Sequence, residues 1–210
     1  MKFPPVFGLY AILTDPLVGY EELARMLVDH GTAFIQLRIK DAPAETVLRV
    51  ARSLRRIIPE NGPTKFIIND DPAICAAVGA DGVHVGQSDM PYSQARRIVG
   101  DRAIIGVSTH TPQQTIDACA LEPDYIGMGP VYATPTKKMP DTVIGIDGLR
   151  TMLSHANVPA VAIGGIDCTN LRDVLAAGAR NFCMVRQINR SETPRQVLKD
   201  IRAIQREFGG

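Results

Sequence analysis

Three polar residues, Gln36, Arg38 and Lys40, stand two apart in the run Gln-Leu-Arg-Ile-Lys. In a strand that spacing turns all three to one side, and two cations on one face of a buried strand call for an anion. The planar fork of arginine and the point charge of lysine suit phosphate or pyrophosphate oxygens; the plain alternative is a pair of structural salt bridges. Asp70 and Asp89 each follow a short apolar run. If those runs are neighbouring strands, the carboxylates converge, and one or two carboxylates beside substrate phosphates are the usual protein share of a Mg2+ site. For either aspartate alone the competing role is a helix N-cap, which fits Asp71, just before Pro72, best. Gly164-Gly165 lets the backbone approach an oxyanion or simply makes a tight turn, and Arg186 can add charge to the same place. His84, between two valines, is a core histidine or a ligand contact; His110 reads as a loop residue. No G-x-S-x-G, H-E-x-x-H or Walker sequence occurs, so hydrolase, zinc-protease and P-loop chemistry have no support.

Groups so far apart in the chain need elements that bring their ends together. Short β-rich runs alternate with helical patterns, the mark of repeated βα units and a parallel sheet. The expected strands are 8–13, 33–38, 65–69, 82–85, 103–108, 125–128, 160–163 and 181–185. The expected helices are 20–30, 43–58, 72–78, 92–99, 112–121, 147–155, 170–177 and 194–208. Pro43, Pro72, Pro112 and Pro194 fall near helix starts, where a missing N–H costs nothing, and Gly79 and Gly178 fall just past helix ends. Eight units predict an α/β fold, a closed (β/α)8 TIM barrel with residues 1–210 as a single domain, in preference to a doubly wound sheet. Barrels of this kind carry their chemistry at the C-terminal ends of the strands, where Gln36, Arg38, Lys40, Asp70, Asp89 and Gly165 all fall. The long irregular stretch 129–145, rich in proline, threonine and lysine, is a candidate lid.

Composition narrows the setting. Hydrophobic residues make up 45% and charged residues 21% of 210 residues, with a net charge of +1. That balance suits a soluble globular chain and gives no general attraction to nucleic acid or anionic membrane. Cys75, Cys119, Cys168 and Cys183 form no C-x-x-C pair, which fits a reduced cytoplasm better than a zinc site.

With these residues placed, the chain resembles the thiamine phosphate synthase family from about residue 8 to about residue 190. The pieces that carry the resemblance are Gln36–Lys40, Asn69-Asp70, Gly82–Gln87 with Asp89, Gly106-Val107-Ser108, Gly129-Pro130-Val131, Thr134–Lys137 and Ala162–Ile166. The resemblance implies that Gln36, Arg38, Lys40, Asn69, His84, Ser108 and Lys137 contact a hydroxymethylpyrimidine diphosphate, and that Arg38, Lys40, Ser108 and Lys137 are its catalytic groups. It implies Mg2+ on Asp70 and Asp89, and a thiazole phosphate on Thr134, Thr136, Gly165, Val185 and Arg186. Two positions depart from the family pattern: Ile39, where relatives are often acidic, and Arg186-Gln187, where they often carry Ser-Ala.

The implied reaction joins the pyrimidine methylene to the thiazole nitrogen and expels pyrophosphate, with no protein nucleophile. Two other functions compete. A thiazole tautomerase is a related barrel that would need a proton-transfer residue but no metal–diphosphate site; a non-catalytic sensor or carrier of thiamine precursors would need neither.

Overall fold

The computed structural model describes residues 3–134 and 142–209. Eight strands form one closed parallel barrel in chain order: β1 (Gly8–Leu13), β2 (Phe34–Leu37), β3 (Lys65–Asn69), β4 (Gly82–Val85), β5 (Ile104–Thr109), β6 (Tyr125–Met128), β7 (Ala160–Ala162) and β8 (Asn181–Met184). Between and after them lie α1 (Tyr20–Asp29), α2 (Ala44–Ile57), α3 (Pro72–Val78), α4 (Tyr92–Val99), α5 (Pro112–Ala120), α6 (Gly145–His155), α7 (Leu171–Ala176), α8 (Arg186–Asn189) and α9 (Pro194–Glu207). All eight predicted strands are present, with ends moved by a residue or so. The single turn α8 adds to the predicted helices.

Strand alternation sorts the side chains into two cores. Leu9, Ala11 and Leu13 of β1 face outward and join Leu23, Leu27, Leu54, Leu198 and Ile201 of the helices. Tyr10 and Ile12 face inward with Phe34, Ile67, Ile104, Tyr125, Val161 and Cys183, and Phe3 packs among them. Among the described residues the barrel interior is therefore filled in its lower half, and functional space lies at the C-terminal mouth.

Local chemistry explains the helix starts. Pro72, Pro112 and Pro194 sit in the first turn, and Asp71 and Thr111 accept from Ile74 N and Gln114 N at 2.9 and 3.1 Å. The reading of Asp71 as a cap thus holds, leaving Asp70 for other work. Two matched clamps tie helices to the strand starts. Asp81 Oδ2 accepts from Phe66 N (2.8 Å) and Arg55 (2.9 Å), and Asp124 Oδ2 accepts from Ile105 N (2.8 Å) and Arg96 (3.1 Å).

Two buried asparagines close the seam between β8 and β1. Asn181 accepts from Phe7 N and Gly8 N, whereas Asn189 of α8 accepts from Thr14 N and donates to Ile12 O and Val185 O. No helix among the described residues is long and apolar enough to cross a membrane.

Candidate active site

A cavity of about 940 Å3 opens at the C-terminal mouth, bounded chiefly by β5–β8 and the loops that follow them. Arg38, Ser108, Thr134, Gly165, Val185 and Arg186 all line it, so six residues expected at the site share one cavity. His110, read from sequence only as a loop residue, lines it too and lies 2.6 Å from Gly129 O through Nδ1. Asn189, bonded to the β1 end and to Val185 O, positions the Val185-Arg186 step. Sequence carries no signal for it, because a one-turn helix leaves no periodicity to read.

Gly164 and Gly165 have a packing reason of their own. Both have positive φ, 96° and 64°. Val131 N donates to Ile163 O and Tyr132 N to Gly164 O, both at 2.9 Å, which lays the loop after β6 directly on this turn. A Cβ on Gly164 would sit 2.4 Å from Pro130 Cβ, and one on Gly165 2.7 Å from Ala133 O. Close approach between two loops accounts for the pair without any ligand; their backbone still faces the cavity.

The second cluster lies at the ends of β2–β4. Lys40 is hydrogen-bonded to Asp70 Oδ2, which sets the lysine beside the expected metal-binding carboxylate. Asp89 Oδ2 accepts from Gly86 N at 2.8 Å, which fixes that carboxylate in its loop. Burial pushes the Asp70 carboxyl up, the Lys40 hydrogen bond opposes this, and the adjacent Asp89 carboxyl pushes it up further. Two adjacent carboxylates with one lysine, bonded to Asp70, are short of positive charge, and a divalent cation would relieve that. Among the described residues no group of three or more His, Cys, Asp or Glu is gathered. The donor set thus fits a hard ion sharing its coordination with waters and substrate oxygens, as Mg2+ does.

Gln36 departs from the expected geometry. It does not stand with Arg38 and Lys40 at the rim: β2 ends at Leu37, and Gln36 is buried in the barrel, donating to Tyr10 Oη at 2.9 Å. His84 points into the barrel as expected, and its ring nitrogens lie 3.0 Å from Tyr125 Oη and 2.8 Å from Ser108 Oγ. Asn69 pairs in register with His84. Thr136 and Lys137 lie outside the described residues.

A closed (β/α)8 barrel with arginines at the mouth, a two-glycine turn after β7, a short helix after β8 and a carboxylate pair beside a lysine defines a class: (β/α)8 barrels whose polar groups gather at the C-terminal face. Within that class the chain belongs to the thiamine monophosphate synthase family, whose model matches residues 9–188. It is 43% identical over 183 residues to a thiamine-phosphate synthase of Gloeobacter violaceus, covering 87% of this chain and 53% of that protein. It thus spans about half of that relative. A thiamine-phosphate synthase of Caldicellulosiruptor bescii is 37% identical over 187 residues, covering 89% of this chain and 85% of that one. The solved thiamine phosphate pyrophosphorylase of Pyrococcus furiosus superposes with a TM-score of 0.87 at 33% identity, covering 97% and 98% of the two chains. A 3-hexulose-6-phosphate synthase shares the fold, with a TM-score of 0.68 at 19% identity.

Proposed function

We propose that this chain condenses 4-amino-5-hydroxymethyl-2-methylpyrimidine diphosphate with 4-methyl-5-(2-hydroxyethyl)thiazole phosphate to thiamine monophosphate and pyrophosphate, the carboxylated thiazole releasing CO2 in addition. The observation that carries the reading is the grouping of Lys40, Asp70 and Asp89 at one side of the mouth, with Arg38 and Ser108 on the cavity wall. The thiazole nitrogen lone pair forms the new bond to the methylene carbon as the C–O bond to diphosphate breaks, and the bonding electrons leave on the diphosphate. No proton need move, so a site without a nucleophile–base pair is adequate. Arg38 and Lys40 would meet the charge gathering on the leaving group, the kind of preorganised stabilisation that accounts for much of enzymatic rate enhancement. Asp70 and Asp89 are the residues that would hold Mg2+, which when bound supplies further neutralisation of the diphosphate. From the segment 135–141, Lys137 belongs to the same cationic group in this reading, and Thr136 to the thiazole phosphate side with Thr134 and Gly165.

A thiazole tautomerase would have no use for the Lys40, Asp70 and Asp89 cluster. Incubating the protein with both substrates and Mg2+ and following thiamine monophosphate separates the readings. Product and pyrophosphate in equal amounts are expected; isomerised thiazole without pyrophosphate, or no turnover with either thiazole form, would overturn the transferase reading. A cytoplasmic setting belongs to the same proposal and is supported by the four cysteines, all free thiols.

Arg186 tests the placement of the two substrates. It lines the cavity beside Gly165 and Val185. Loss of a charge-assisted contact in Arg186→Ala should raise the KM for the thiazole phosphate by roughly tenfold to 150-fold, equivalent to about 1.5 to 3 kcal/mol. The KM for the pyrimidine diphosphate should not move. A shift confined to the pyrimidine substrate would reverse the two sides of the mouth.

A further inference from the structure

Four hydrogen bonds cross the barrel interior. Gln36 Nε2 donates to Tyr10 Oη at 2.9 Å, and the Tyr10 and Tyr125 hydroxyls lie 2.7 Å apart. Tyr125 Oη is 3.0 Å from His84 Nδ1, and His84 Nε2 is 2.8 Å from Ser108 Oγ, which reaches the cavity wall. A glycine makes room for the Tyr125 ring: a Cβ on Gly106 would lie 2.1 Å from Tyr125 Cζ.

The first bond sets the direction of all the others. The Gln36 amide is oriented with its nitrogen toward Tyr10, and an amide nitrogen only donates, so in this orientation Tyr10 Oη accepts. Its own O–H then turns to Tyr125, because the reverse arrangement would bury a phenol O–H with no acceptor, the costly case for a polar group. Burial holds both phenols far above their usual range, so each keeps its proton. Tyr125, already accepting from Tyr10, donates its O–H to His84 Nδ1. With Nδ1 accepting, the ring carries its hydrogen on Nε2. Ser108 Oγ accepts that hydrogen, which leaves its own O–H to point elsewhere.

We propose that Gln36, Tyr10 and Tyr125 are positioning residues that hold His84 in its Nε2–H tautomer and thereby present the Ser108 hydroxyl as a hydrogen-bond donor to an acceptor atom of the bound diphosphate substrate. The identity of the acceptor rests on the transferase reading; the tautomer does not. Gln36 then has a role despite its depth, as a buried amide that acts on the site from across the barrel.

Nitrogen-15 NMR of the four histidines in the ligand-free protein reads the tautomer directly, with His84→Gln to assign the signal. The expected wild-type spectrum has His84 protonated at Nε2 and bare at Nδ1; protonation at Nδ1 overturns the proposal. Tyr125→Phe removes one oxygen and keeps the ring volume, and Gln36→Met removes the amide. Each should introduce the Nδ1–H form, whereas residues with only a packing role would lower stability and leave the ring nitrogens unchanged, which also overturns it. In turnover, Tyr125→Phe should lower kcat by roughly 10-fold to 100-fold, the scale for losing a group that orients a functional side chain. In a Ser108→Ala background it should add nothing further; independent losses would overturn the donor role of Ser108. A wild-type protein with the expected tautomer and no transferase activity would sink the reaction while leaving the tautomer assignment standing.

Discussion

Asp89→Asn should lower kcat at saturating substrates and ordinary Mg2+ by about a hundredfold or more, the scale of losing a preorganised group that stabilises developing charge. The barrel should stay folded. Asparagine keeps a side-chain oxygen, so the bond from Gly86 N to position 89, 2.8 Å in length, can persist. What is lost is one of two adjacent charges. Asp70 is drawn toward Lys40 and pushed up by burial and by Asp89; with Asp89 neutral, the Lys40–Asp70 pair becomes nearly self-sufficient and its pull on a divalent cation weakens. Calorimetric titration of Mg2+ in the presence of pyrophosphate should therefore show the affinity falling along with kcat, while circular dichroism and melting stay near wild type. Full turnover at ordinary Mg2+ would remove the metal role from this residue.

The convergence of Asp70 and Asp89 is legible in the sequence because each follows a short apolar run, and consecutive runs in a repeated βα pattern become adjacent parallel strands. The same pattern locates all eight strands. Gln36 shows where such reading stops: alternation tells which face a residue takes but not how deep it lies. One pleat separates a buried amide bonded to Tyr10 from Arg38 at the cavity wall. The Tyr10–Tyr125 contact joins residues 115 positions apart, and nothing local marks either tyrosine as more than core. Arg186–Asn189 makes one helical turn, too short for an apolar period, so the element that anchors the β1 end through Asn189 has no signature in the sequence. Gly164-Gly165 is legible as unusual, but its strongest constraint comes from Pro130–Ala133 on another loop, which spacing does not disclose.

That contact makes a large stability effect expected at Gly164. Gly164→Ala meets two separate penalties. Its φ of 96° is a conformation that L-residues rarely adopt, a strain of about 1 to 2 kcal/mol. Its Cβ would also fall 2.4 Å from Pro130 Cβ and 2.5 Å from Pro130 Cα. These are backbone-anchored atoms that no rotamer change can move aside, and overpacking of that kind costs about 1 to 3 kcal/mol. Together roughly 2 to 5 kcal/mol should be lost, a large share of the 5 to 15 kcal/mol typical of a domain. At about 2 to 4 °C per kcal/mol for a chain of this size, Tm should fall by roughly 4 to 20 °C. Gly100→Ala supplies the control: its φ is also positive, 76°, but nothing lies within 4 Å of the added carbon. It should show the strain alone, with a Tm fall of roughly 2 to 8 °C. The difference between the two variants measures the collision. The same collision should push the loop carrying Thr134 away from the β7 end, because Val131 N and Tyr132 N hold it there through Ile163 O and Gly164 O. The KM for the thiazole phosphate should therefore rise in Gly164→Ala and stay unchanged in Gly100→Ala. Equal Tm losses with an unmoved KM would mean that the loop after β6 yields to the added carbon at no cost, and that its fit against the Gly164-Gly165 turn does not shape the cavity.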